Sequence, residues 1–157
     1  MKKIVFLAIC LCFVSLVNAQ DFDKIGNMQL KTLEDYKKAE PDVLKVADFL
    51  FRTPNKPETQ NRGIAFQFIL KWMEGTDAFT FHLDQDTLEA TDQDQDLLGM
   101  YLAGLTKVAL ENPDKEFKEG EMHEQTVKLL AQYCAKKENK LKPSKAIKKV
   151  IKKMKKG

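Results

Sequence analysis

An all-α fold, one domain of five to seven helices as an irregular bundle or stacked helix pairs, is predicted by three features of this 157-residue chain. The first is residues 97–110, LLGMYLAGLTKVAL, where only Gly99, Gly104, Thr106 and Lys107 interrupt an apolar run. At 3.6 residues per turn its apolar positions go nearly all the way round, the pattern of a helix covered on several sides. The second is residues 64–73, IAFQFILKWM, almost as apolar, so these two segments are expected to fill the core together. The third is the three- or four-residue apolar spacing that recurs elsewhere, whereas a single short piece alternates with period two.

Residues 1–19 read as a secretory signal peptide. Met1, Lys2 and Lys3 form a basic head, residues 4–17 an apolar core broken by Cys10, Cys12 and Ser15, and Val17, Asn18 and Ala19 a small-residue exit. Neither cysteine follows the small residue that a lipid-anchored variant needs. Cleavage after Ala19 leaves 138 of the 157 residues, enough for one domain that buries about two thirds of its unfolded surface. The expected location is the periplasm or the outside of the cell. The run at 97–110 is too short to span a bilayer, which takes about 20 apolar residues. Cys134, the one cysteine beyond the signal, has no partner for an intrachain disulfide and sits in step with Val127 and Leu130. It is expected to behave as a small buried hydrophobe.

Charge is unevenly distributed. Residues 136–157 hold 11 lysines and one acid, Glu138, whereas residues 20–135 hold 13 basic and 22 acidic residues. An acidic body thus ends in a strongly basic tail, an arrangement associated with anionic partners. Three units follow: the signal at 1–19, a helical domain at 20–142 and a basic amphipathic helix at 143–157.

Along the body, Phe22, Ile25, Met28, Leu33 and Tyr36 predict, over 21–39, an amphipathic helix or a helix with a loose first turn. Pro41 is expected to open a second helix, since proline suits the first helical position. Glu40 and Asp42 would lie in its first turn, and Val43, Leu44, Val46, Ala47, Leu50 and Phe51 on its buried side. Residues 52–62, RTPNKPETQNR, read as a surface connection. Asn61 is the expected cap of the next helix and Gly75 its end. Phe79, Phe81 and Leu83 alternate with Thr80 and His82; with no second strand to pair, they predict an extended segment tucked under the helices. A short helix around 87–91, capped by Asp84 or Asp86, precedes the central one, and Asn112 and Pro113 end the latter. Residues 120–136 form a further helix with Met122, Val127, Leu130, Ala131 and Cys134 inside. Ser144 caps the last, whose Ile147, Val150, Ile151 and Met154 fall at i, i+3, i+4 and i+7.

That last helix carries the strongest site signal. Lys145, Lys148, Lys149, Lys152, Lys153, Lys155 and Lys156 back one apolar stripe, the composition of a helix lying on an anionic membrane or envelope surface. A helix docked on the core with its lysines in water has the same pattern. Nucleic acid is disfavoured, because no stacking aromatic or base-reading motif accompanies the lysines. Asp92, Asp94 and Asp96 match the opening of a calcium loop, but its sixth position holds Leu97 instead of Gly and its twelfth Ala103 instead of Glu. Acids before a helix also serve as caps. Glu121, His123 and Glu124 cluster without the second histidine of a helical zinc site. No phosphate loop, GxSxG elbow or cysteine signature occurs, and no residue set predicts a cofactor.

The segments ADFLF, FILKWMEGT, LLGMYLAGLTKVALENP and LKPSKAIKK, with the signal ending NAQ, resemble a group of small exported proteins from Bacteroidetes-type Gram-negative bacteria. The resemblance implies export and a helical fold and supplies no catalytic residues. LGMY followed by KVALENPD is also similar to the middle of a tetratricopeptide repeat, without the 34-residue period. The expectation is therefore an exported, non-enzymatic protein that binds a protein or an anionic envelope surface. The rival is an enzyme or small-ligand carrier with a pocket near Phe79, Phe81 and Trp72.

Overall fold

The computed structural model describes residues 21–56 and 59–156. The expected signal peptide lies outside the described residues. Among the described residues seven α-helices and one 3-10 turn make an all-α domain: α1 (Phe22–Asn27), α2 (Leu33–Arg52), α3 (Gln60–Gly75), α4 (Gln85–Thr91), α5 (Gln95–Leu110), α6 (Glu121–Ala135), the turn Lys137–Asn139, and α7 (Lys145–Met154). No strand occurs among the described residues.

The central helix lies where its pattern puts it. Ten of the sixteen residues of α5 are buried, and it packs against α2, α3, α4 and α6. The partnership differs from the sequence expectation, because α2 shares the core equally with α3: Ala39, Val43, Val46, Ala47 and Leu50 are all buried. Two glycines set how near the neighbours come. A Cβ on Gly99 would stand 3.0 Å from the Phe66 ring of α3, and one on Gly104 would stand 2.9 Å from Thr126 Cγ2 of α6. Lys107 pairs with Asp48 of α2 and with Glu111, tying the outer ends of two core helices.

Three boundaries differ from expectation. Pro41 does not open a helix; it is the ninth residue of α2, which runs unbroken from Leu33. The true start is a capping box: the Thr32 hydroxyl accepts from the Asp35 N–H, and the Asp35 carboxylate accepts from the Thr32 N–H. That box fixes the helix two turns upstream of Pro41. Proline in a helix interior costs about 3 kcal/mol, which burial of the five residues on the α2 inner face offsets. Residues 28–32 accordingly separate α1 from α2. Asn61 does not cap α3, which begins at Gln60 with Thr59 in the cap position and no side-chain cap bond. The polar stretch before α3 is not wholly superficial either, since Asn55 and Arg62 are buried.

Elsewhere the local chemistry reads as expected. Asp84, Asp94 and Ser144 each accept from the N–H three residues on and start α4, α5 and α7. The close approach of α5 to α6 gives a test. Gly104→Leu is expected to destabilise the domain by about 2 kcal/mol through overpacking, read by urea unfolding, and Thr126→Ala in the same chain to recover part of it. A Gly104→Leu chain as stable as the parent would show that this contact is not tight.

Candidate functional site

The basic helix α7 is seated by its apolar side. Ile147 is 0 % exposed, Val150 and Ile151 are half-buried, and the helix packs on α6 and α4. Met154, last in the stripe, is 41 % exposed. Ser144 Oγ accepts from the Ile147 N–H at 3.1 Å, closing the first turn directly over the buried isoleucine. Lys145, Lys148, Lys149, Lys152, Lys153, Lys155 and Lys156 are all exposed. Among the described residues, none of them forms an ion pair with a carboxylate. The first turn of α7 also lacks an acid, so the positive end of the helix dipole adds to the lysine charge.

Beside the lysine face lies an open groove of about 670 Å³ between α4, α6 and α7. Asp86 and Glu89 of α4, His123, Glu124 and Lys128 of α6, and Val150, Lys153 and Met154 of α7 are among its walls. Behind it His123 Nδ1 is 2.8 Å from the hydroxyl of Tyr101, which also accepts from Thr87 Oγ1 at 3.4 Å. Burial pushes the Tyr101 phenol up, so it keeps its proton. The groove carries both signs of charge over an apolar floor, and sequence spacing could not reveal it because three helices build it.

The aromatic cluster has a different character. Trp72 is 0 % exposed, its indole N–H donates to Tyr36 O at 3.2 Å, and the rings of Phe79 and Phe81 lie 6.3 and 6.1 Å from it. These rings pack on one another, and none of the three lines the groove. The acidic stretch is divided among structural tasks. Asp94 Oδ1 accepts from the Leu97 N–H at 2.9 Å, Asp96 Oδ2 accepts from Asn55 Nδ2 at 3.0 Å, and Asp92 is the left-handed residue ending α4. Among the described residues no group of three His, Cys, Asp or Glu side chains converges as a metal site requires. No described helix is long and apolar enough to cross a membrane.

One polar cluster escaped the sequence reading. Arg62 is 1 % exposed, and its Nη1 donates to Leu50 O, Thr53 O and Thr53 Oγ1 at 3.3, 3.4 and 3.0 Å. Its Nη2 meets Met100 Sδ at 3.3 Å, and its Cζ lies 5.6 Å from the centre of the Phe66 ring. The Tyr133 hydroxyl donates to Thr53 O at 2.7 Å, while Asn139 Nδ2 donates to Tyr133 O and the Asn55 N–H to Asn139 O, both at 2.8 Å. Desolvation lowers the affinity of the guanidinium for its proton, and Tyr133 and Asp96 oppose that. The one signal was the arginine that ends the polar stretch beside an apolar run.

Comparison with protein-family models, with curated proteins and with solved structures finds no match to this chain.

Two outcomes test the interior. Arg62→Met is expected to destabilise the domain by about 2–3 kcal/mol in urea unfolding, because it strands carbonyls at the end of α2. Arg62→Lys should not restore it, since one ammonium lacks the planar fork. Burial, with a contribution from Asp94, pushes the Cys134 thiol up to about 11. Dithionitrobenzoate at pH 8 should therefore label the native chain at least 100-fold more slowly than the urea-unfolded chain. Equal rates would place this thiol at the surface.

Proposed function

We propose that this is an exported, non-enzymatic protein that binds an anionic component of the cell envelope through the outward face of α7. The observation carrying this reading is the division of that helix: one side docks on α4 and α6, leaving Met154 exposed at its end, and the remainder presents seven exposed lysines without a carboxylate partner among the described residues. Charge left uncompensated on a folded surface is available to a partner, and each basic residue close to an anionic surface contributes about 1 kcal/mol. The acidic body supports a defined orientation, since residues 20–135 repel the surface that the tail attracts. Export rests on the head, core and exit pattern of residues 1–19.

The packing of Ile147 shapes the test, because deleting α7 would uncover the core. Substitution of the seven lysines by Gln removes the charge and leaves the stripe. The protein is expected to co-sediment with isolated Gram-negative envelope at 50 mM salt and to release by 300 mM, as screening shortens the Debye length. The seven-Gln variant, of unchanged helicity by circular dichroism, should stay in the supernatant. Equal sedimentation of both proteins, or of neither, would remove the lysine face from the account.

A further inference from the structure

We infer that the lysine face is a seat for an extended anionic polysaccharide lying along α7, an inference that rests on the anion-binding reading above. At 100° per residue Lys145, Lys149, Lys152 and Lys156 fall within about 60° of one another, opposite Ile147, and run about 16 Å along the axis. Lys156 lies in the turn after Met154, where its N–H donates to Lys153 O at 3.0 Å in a 3-10 bond, so it extends the file past the end of α7 while the 100° spacing holds for Lys145, Lys149 and Lys152. Lys148 and Lys155 flank the file on one side, and Lys153 on the other at the lip of the groove.

Three observations favour a polymer strand over the alternatives. A helix lying in a bilayer interface sinks its apolar face about 5–10 Å into the headgroup boundary. Of the apolar stripe of α7, Ile147 is buried, Val150 and Ile151 are half-buried against α4 and α6, and Met154 alone is exposed, so α7 meets a partner chiefly with its lysines. Single-stranded nucleic acid is held by aromatic platforms, and residues 136–157 contain no Phe, Tyr or Trp. The tail is also all lysine with no arginine, and compact point charges suit carboxylate, sulfate or phosphate groups spaced along a glycan without demanding bidentate geometry.

The test uses the protein and two variants of equal charge loss and equal helicity by circular dichroism. The file variant is K145Q/K149Q/K152Q/K156Q, and the displaced variant K136Q/K137Q/K140Q/K142Q alters four exposed lysines outside α7. Probes are sulfated and uronate oligosaccharides, phosphatidylglycerol vesicles and a single-stranded DNA homopolymer. The expected result is oligosaccharide binding with a log–log salt slope near −3, roughly 0.7 per contact for four contacts. The file variant should bind about 100-fold more weakly and the displaced variant within about threefold of the parent. Preference for vesicles or for DNA overturns the polysaccharide assignment and leaves the anionic-partner reading standing, as does envelope binding without affinity for any probe. Equal losses in the two variants overturn the file. No binding to any probe or to envelope overturns both readings.

Discussion

A guanidinium sealed inside the domain has to be answered by its surroundings, and the arrangement around Arg62 shows how four helices do so. Its Nη1 donates to carbonyls at the end of α2, where the negative pole of the helix dipole makes a cation favourable, while its buried Nε has no partner among the described residues. Its second amino group meets a methionine of α5, its plane lies near a phenylalanine of its own helix, and Tyr133 of α6 binds the same Thr53 carbonyl. Asn55, Asp96 and Asn139 extend the cluster to the start of α5 and to the 3-10 turn. Apolar burial alone would hold these helices loosely in rotation, because smooth side chains tolerate repacking. The directional bonds of Arg62 fix which carbonyl faces which helix, and hence where α6 ends and the tail begins.

How much of this was legible depends on the range of each cause. The centrality of α5 was readable because an apolar surface all round a helix has one physical outcome. The caps at Asp84 and Ser144 were readable because each bonds a neighbour three residues away. The start of α2 was written in Thr32 and Asp35 but lost to the louder signal of Pro41, whose position inside a helix only tertiary burial could sustain. Arg62 and Asn55 were illegible in principle: their partners stand 12, 38 and 41 residues away, and a polar stretch with two prolines has the composition of a surface loop whether or not its arginine turns inward. The groove beside α7 was hidden for the same reason.

For the candidate site, sequence supplied the residues and structure supplied their division of labour. An amphipathic lysine helix is the same string whether it lies on a membrane or on its own protein. What separates the cases is whether Ile147 is covered, and in this domain it is buried against the protein's own helices.

Ile147 is also the one fully buried side chain of α7. Burying an isoleucine contributes about 1.5–3 kcal/mol, small beside the roughly 5–15 kcal/mol that holds a whole domain together. Like charges three and four residues apart along the helix, and a first turn without an acid, draw on that same narrow margin. That repulsion falls on a helix seated by a single fully buried side chain. Neutralising the outward charges would relieve that repulsion along a helix that also forms one wall of the groove.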